Sequence, residues 1–390
     1  MIDWETELAR VGLFAGVLPR AIGSSAEARR GNPETGIPAA GFGPRLVGET
    51  AIDELFIAVN SVIREIPPME QVEAWVARCG DVADEFARLD SSEVYRDPGA
   101  PRILSRDRKI FGTTAFEHID YSTETRLPDS VANLDPHADG LASVRVMTRR
   151  RPGARWLIWV HGAAQGRADD LYAFRAAHLH KKLGYDVVFP VLPAHGPRRI
   201  SKVAYPGFDP LVNTLITIRA IAEIRSLVSW IAAQDPADIT IAGTSLGGPI
   251  AAMVASMDPR ISSVLAVVPM LDMHATLAHH MARGGSKGRR LAELMRSDEV
   301  REVSKVISPL SVEPLPAPDR RMVVAALNDR VTWVSAAQRL HQHWGGRIHW
   351  YNGSHVGHAM SPGIRHATDG FLSEPVRPAG PAGENRRAVN

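Results

Sequence analysis

Ser245 lies in the run Ile239-Thr-Ile-Ala-Gly243-Thr244-Ser245-Leu246-Gly247-Gly248, where a β-type stretch delivers Gly-x-Ser-x-Gly directly into a helical pattern. The spacing has a steric reason: a sharp strand-to-helix turn strains the serine, and flanking glycines remove side chains that would collide. A serine hydroxyl is a poor nucleophile at neutral pH. It needs a base to take its proton and a carboxylate to orient that base. Negative charge that develops as such a nucleophile attacks needs N–H donors. The start of the helix supplies one at Leu246. A second comes from Trp156-Leu-Ile-Trp-Val-His161-Gly162-Ala163-Ala164, an apolar strand ending in small residues that leave backbone N–H groups accessible. Ala163 is the expected donor, with Ala164 next, completing an oxyanion hole. His161 is expected to support this turn by hydrogen bonding.

Three segments together resemble the α/β-hydrolase superfamily, with no subfamily identified: His161-Gly162, then Leu192-Pro-Ala-His195-Gly196, then Gly-Thr-Ser245-Leu-Gly-Gly. The resemblance covers roughly residues 114 to 373. It implies the chain order serine, acid, histidine, with the acid after a late strand and the histidine after the last. Met322-Val-Val-Ala-Ala-Leu-Asn328-Asp329 supplies the acid, and Ile348-His-Trp-Tyr-Asn-Gly353-Ser354-His355 the base. Asp272, after an earlier strand, is the alternative acid. His358, three residues beyond His355, is the alternative base; Gly353-Ser354 favours His355. The resemblance further implies an acyl-enzyme on Ser245, hydrolysis of a carboxylic ester or related acyl bond, and no metal or organic cofactor. Acyl transfer on the same three residues is one rival, and a ligand-binding protein that kept the fold without turnover is another.

These residues need strand ends that converge. From about residue 114 short β-type runs alternate with amphipathic helices, which predicts a mostly parallel sheet with helices on both faces. Eight strands are expected: Phe116 to Tyr121, Leu141 to Met147, Trp156 to His161, Tyr185 to Phe189, Ile239 to Gly243, Val264 to Val268, Met322 to Leu327 and Ile348 to Tyr351. The first two should pair as a hairpin. Ala168 to Leu183, Leu211 to Ala233, Gly247 to Met257 and Val334 to Trp344 are expected crossover helices. Residues 1–113 are expected to be a helical N-terminal extension, with apolar stripes at Leu55, Val59, Val62 and Ile63 and at Val72, Trp75, Val76, Cys79, Val82 and Phe86. Residues 114–374 form the expected catalytic domain, a polar insertion at about 274–317 is expected to be a cap, and 375–390 a disordered tail. His279 and His280 are candidates for its inner, substrate-facing side.

Other classes are excluded by composition. Lys and Arg number 45 against 43 Asp and Glu, so a formal charge of +2 gives no field for a polyanion such as nucleic acid. Cys79 is alone, so no intrachain disulfide can form. Asp3, Glu5 and Glu7 are the reverse of a signal-peptide start, and no run of 18 apolar residues follows, which points to the cytoplasm. The apolar stretch Val11 to Val17 allows at most peripheral membrane contact. Asp135-Pro-His137-Ala-Asp139 is expected to be a turn, since it offers no complete metal-ligand set. The expected partner is a small acyl substrate; oligomeric state is not legible.

Overall fold

The computed structural model describes residues 11–201 and 203–376. The acidic start at Asp3, Glu5 and Glu7, and the tail beyond residue 376, lie outside them. Among the described residues nine strands form one sheet: β1 (Arg102–Phe111), β2 (Thr114–Ser122), β3 (Leu141–Met147), β4 (Arg155–Val160), β5 (Tyr185–Val191), β6 (Asp238–Thr244), β7 (Ile261–Val267), β8 (Arg321–Ala326) and β9 (Arg347–Tyr351). Their order is β1-β2-β3-β5-β4-β6-β7-β8-β9. The first three pairings are antiparallel, and every pairing from β5 to β9 is parallel.

The helices are α1 (Val17–Ala28), α2 (Pro44–Ile63), α3 (Met69–Ala87), α4 (Ala176–Lys181), α5 (Pro210–Ala232), α6 (Gly247–Met257), α7 (Met273–Met281), α8 (Gly285–Leu294), α9 (Asp298–Ser304), α10 (Val334–Trp344) and α11 (Pro362–Ser373). Side chains alternate across β4 as a pleated strand requires. Trp156, Ile158 and Val160 share a core with α5, α6 and α10, whereas Leu157 and Trp159 share another with α4 and α11. Burial on both faces explains why the central strands are continuous apolar runs rather than alternating ones.

The ninth strand corrects the expected eight. Residues 102–111, assigned above to a helical extension, pair with β2 through a tight hairpin at Gly112-Thr113. The strand lacks an apolar signature because it is the sheet edge, where Arg102, Arg106, Asp107, Arg108 and Lys109 blunt further pairing. β2 and β3 do pair antiparallel, across a long connection. The single helix expected over Ala168 to Leu183 is instead a turn at Asp170–Ala173 followed by α4, broken where Arg175 takes a φ of 56°.

The N-terminal helices also depart from expectation in one respect. α3 buries Val72, Val76, Cys79, Val82 and Phe86, as its stripe predicts. In α2 the stripe is not the packed face: Leu55 is 45% exposed and Ile63 76%, Val59 and Val62 are half-buried, while Glu49, Thr50, Asp53 and Glu54 are buried beside Leu46, Ile57 and Ala58. The insertion carries α7, α8 and α9. Ala278, Met281, Leu291, Ala292 and Met295 form a small core with Val72, so insertion and N-terminal segment pack as one layer. Leu13 is buried, but Val11, Phe14, Leu18 and Ile22 are exposed. No described helix is long and apolar enough to cross a membrane.

Helix α5 is buried on nearly every side and carries three charges, each paired. Arg219 Nε donates to Asp135 Oδ2 at 2.6 Å, Glu223 accepts from Arg198 at 2.7 Å, and Arg225 Nε lies 3.4 Å from Asp258 Oδ2. Removing one member strands the other in the interior. Asp135→Ala should therefore lower unfolding free energy by about 3–5 kcal/mol in urea titrations. Glu73→Ala, which breaks an exposed pair with Arg290, should leave the midpoint in place.

Candidate active site

Strand β6 ends at Thr244 and α6 begins at Gly247, so Ser245 and Leu246 make the whole turn. Ser245 has a φ of 52°, in the left-handed region. Its strain is held from both sides: Ser245 N–H donates to Val267 O at 2.9 Å, and Ser245 O accepts from Gly248 and Met270 N–H at 2.9 and 3.0 Å. A Cβ at Gly247 would lie 2.4 Å from Val160 O, so only glycine lets the turn close against β4.

The side chain reaches the end of β9. Ser245 Oγ lies 3.1 Å from His355 Nε2, and His355 Nδ1 lies 2.9 Å from Asp329 Oδ2. With Nδ1–H donating to the carboxylate, Nε2 is left to accept from the serine. Asp329 Oδ1 accepts the N–H groups of Val331 and Thr332 at 2.9 and 2.7 Å. The Thr332 hydroxyl donates to Asp329 Oδ2 at 2.8 Å and lies 3.3 Å from His355 Nδ1. Ser245, Asp329 and His355 are all buried.

Burial and partner charge oppose each other in this set. Burial opposes ionisation of Asp329, but the His355 charge and hydrogen bond and the Thr332 donors hold its carboxyl below the usual range. Burial likewise opposes protonation of His355. The carboxylate of Asp329, with that of Asp53 nearby, outweighs it and holds the imidazole above the usual histidine value.

The turn after β4 lies against the serine, since a Cβ at Gly162 would be 3.3 Å from Ser245 Cβ. Among the described residues, neither Leu246 nor Ala163 N–H donates to a protein acceptor. Ala164 takes a φ of 63° and is exposed. His161 Nδ1 donates to Gly162 O at 2.8 Å, and its Nε2 accepts from Leu192 N–H at 3.1 Å. It ties the turn after β4 to that after β5. Burial, with the neighbouring His195, pushes its pKa down to about 3, so it is a neutral strut.

The alternatives stand elsewhere. Asp272 caps α7 by accepting from Ala275 N–H at 2.9 Å. His358 Nδ1 bonds to His355 O and makes no bond to Ser245 or Asp329, and burial with the His355 charge pushes its pKa down to about 4. His280 Nε2 donates to Val331 O at 2.8 Å, and the ring of His279 meets Trp333 edge-on at 4.9 Å. Both therefore pack on the loop that carries Asp329. In the Asp135 turn, Asp135 pairs with Arg219, His137 accepts from Ala194 N–H and Asp139 from Leu141 N–H. Among the described residues no three His, Cys, Asp or Glu side chains converge as metal ligands.

A cavity of about 630 Å³ opens beside the turn. Leu246, Ile250, Met270 and Ile307 give it an apolar wall, with Arg296, Arg301 and Arg339 also lining it. Neither Ser245 nor His355 is part of that lining.

Two contributions have no counterpart in the sequence reading. Thr332 could have been found, because an aspartate followed by a hydroxyl residue three positions on is an Asx-type turn pattern. Asp53, which accepts His355 N–H at 2.8 Å, had no such signal.

Known proteins bear on this geometry. A family model described as the alpha/beta hydrolase family matches residues 157–386. Two uncharacterised proteins of Mycobacterium tuberculosis, from strains CDC 1551 / Oshkosh and ATCC 25618 / H37Rv, are each 38% identical over 233 residues, 58% of this chain and 55% of theirs. The match thus spans about half the length of those relatives. In structure, an acetyl xylan esterase from Paenibacillus sp. R4 superposes with a TM-score of 0.50 at 16% identity, over 78% of this chain and 99% of its own. Acetyl xylan esterase 1 from Thermoanaerobacterium sp. JW/SL YS485 does so with a TM-score of 0.50 at 14% identity, over 78% and 93%. At those identities the likeness is one of fold. The family match spans more than half of the chain and includes Ser245, Asp329 and His355, and the chain belongs to the alpha/beta hydrolase family.

Proposed function

We propose that this protein is a serine hydrolase that cleaves a carboxylic ester or related acyl bond. The observation that carries the proposal is the unbroken hydrogen-bonded series from Ser245 Oγ through His355 to Asp329 at a strained turn. In this reading Ser245 Oγ attacks the carbonyl carbon as His355 Nε2 takes its proton. Asp329 holds the imidazole in the required tautomer and stabilises the imidazolium that forms. The N–H groups of Leu246 and Ala163 receive the oxyanion. Collapse of the tetrahedral species gives an acyl-enzyme on Ser245, as the imidazolium returns its proton to the leaving alcohol. Water, deprotonated by the same imidazole, then releases the acid.

The cavity beside Leu246 is the proposed acyl site, since the residue after the nucleophile forms part of its wall. An apolar wall suits an acyl chain. An alcohol in place of water at the acyl-enzyme stage would give acyl transfer on the same three residues. Product analysis with added alcohol separates transfer from hydrolysis.

Three outcomes are expected. A fluorophosphonate probe should label the wild type and not Ser245→Ala, and nitrophenyl ester turnover should fall on the order of 10⁶-fold in that variant. Absence of labelling in folded wild type would overturn the assignment in favour of a binding protein. Asp329→Asn should lower kcat by about 10⁴-fold. Asp272→Ala, which removes a helix cap and part of the lining of the cavity beside Leu246, should cost about 1 kcal/mol of stability and lower kcat far less than Asp329→Asn; the reverse ranking would make Asp272 the acid. Because the base must be neutral and its pKa is raised, kcat/KM should climb with pH along a limb above the usual histidine value of about 6.5. A limb at or below that value would contradict the assigned pairing with Asp329.

A further inference from the structure

Residues 49, 50, 53 and 54 of α2 fall on one face at helical spacing. In this chain all four are polar and buried, and each meets a different part of the site. Thr50 Oγ1 accepts from Asn328 Nδ2 at 2.8 Å, just before the acid. Glu49 accepts from the Tyr351 hydroxyl and from Ser354 N–H, and Glu54 Oε1 accepts from Arg330 Nε at 3.0 Å.

Asp53 stands at the centre. Its Oδ2 accepts Arg330 N–H at 3.1 Å and His355 N–H at 2.8 Å. Its Oδ1 accepts the Ser354 hydroxyl at 3.0 Å and Val356 N–H at 2.9 Å. One donor is the residue after Asp329, and the other three are His355 and its two neighbours. A single side chain from outside the sheet thus touches both loops whose separation fixes the Asp329–His355 hydrogen bond.

We propose that Asp53 is a positioning residue: its carboxylate clamps the loop carrying Asp329 to the loop carrying His355 and holds the imidazole in line with Ser245. The proposal rests on the serine-hydrolase reading above. It assigns the N-terminal segment a part in building the site. A clamp of fixed donors matters because displacement of a catalytic group by about 1 Å can cost about 100-fold in rate.

The same carboxylate acts electrostatically. The charged groups facing it are Asp329 and His355 on the loops, Arg330 beside them, and Glu49 and Glu54 on its own helix. Burial and the Asp329 charge push the Asp53 carboxyl up to about 6, with His355 pulling it back. In turn, Asp53 adds to the field that favours the His355 imidazolium.

The test is steady-state hydrolysis of nitrophenyl acetate against pH by the full chain, comparing wild type, Asp53→Asn, Ser354→Ala and Ser245→Ala, with thermal unfolding to establish that each is folded. Asp53→Asn keeps the shape, removes the charge and points an N–H₂ group at N–H donors. Its kcat should fall about 10- to 100-fold with KM within about twofold. Its acid limb should move to lower pH, because a negative charge that raises the imidazolium pKa is gone. Ser354→Ala removes one of four donors and keeps the charge, so kcat should fall about fivefold with the limb in place. A folded Asp53→Asn with wild-type kcat, or with an unmoved limb, overturns the clamp. Should Asp53→Asn fail to fold, wild-type kcat in Ser354→Ala overturns it. Activity retained in Ser245→Ala would overturn the hydrolase assignment and the clamp with it, whereas activity lost there and unchanged in Asp53→Asn condemns the clamp alone.

Discussion

A carboxylate taken out of water must have donors for its oxygens, or folding fails at that point. Helix α2 buries three, Glu49, Asp53 and Glu54, and the structure around the site is largely the answer to that demand. Asp53 takes its donors from the loops after β8 and β9, whose N–H groups lie beyond the sheet's end. Glu49 adds the Tyr351 hydroxyl and Arg45 to Ser354 N–H, and Glu54 is met by Arg20, Arg283 and Arg330. Helix and loops therefore satisfy each other. Neither surface could be buried without its partner, which makes the polar face of α2 as much a packing surface as any apolar stripe.

Strain in the backbone is concentrated at the same end of the sheet. Ala164, Ala194, Ser245, Val268 and Trp333 all have positive φ, and they follow β4, β5, β6, β7 and β8 in turn. A β-branched residue such as Val268, at 42°, is a genuine outlier. Each such residue costs on the order of 1–3 kcal/mol and persists only where its surroundings over-determine it. Here the surroundings are cross-connections between neighbouring strand ends and turns: His161 to Leu192, Val268 to Val324 within β8, and Thr332 to Val268. Convergence of strand ends supplies the site, and these ties keep it from relaxing.

The parallel half of the fold was legible because its signals are local. Short, largely apolar runs mark β4 to β8, and Gly-x-Ser-x-Gly marks the turn between β6 and α6. Asp329 and His355 were legible as strand-end residues, although their meeting depends on strand order. What stayed hidden is interaction across distance in sequence. β1 carries charge because it is an edge, so its alternation has no buried phase to detect. In α2, periodicity identified the helix but not its packed face, since Leu55 and Ile63 of the apolar stripe are exposed while Glu49, Asp53 and Glu54 are buried among Leu46, Ile57 and Ala58. Asp53 and His355 are 302 positions apart, and no pattern of residue types connects them.

Arg330 shows how the acidic layer also tunes the site. It directly follows Asp329, and an unpaired guanidinium there would oppose the imidazolium that the proposed attack creates. Glu54 accepts its Nε at 3.0 Å and is itself shared with Arg20 at 2.7 Å and Arg283 at 2.9 Å. Those three cations come from the loop after β8, from α1 and from the α7–α8 turn. One buried carboxylate thus joins three segments and pairs the Arg330 guanidinium, and the charges that raise the His355 imidazole are those of Asp329 and Asp53. Protonation of the imidazole is then favoured by two negative charges in a buried setting, where such interactions are worth more than in water. The N-terminal helices and the insertion after β7 therefore meet at Glu54, one hydrogen bond away from the residue that follows Asp329.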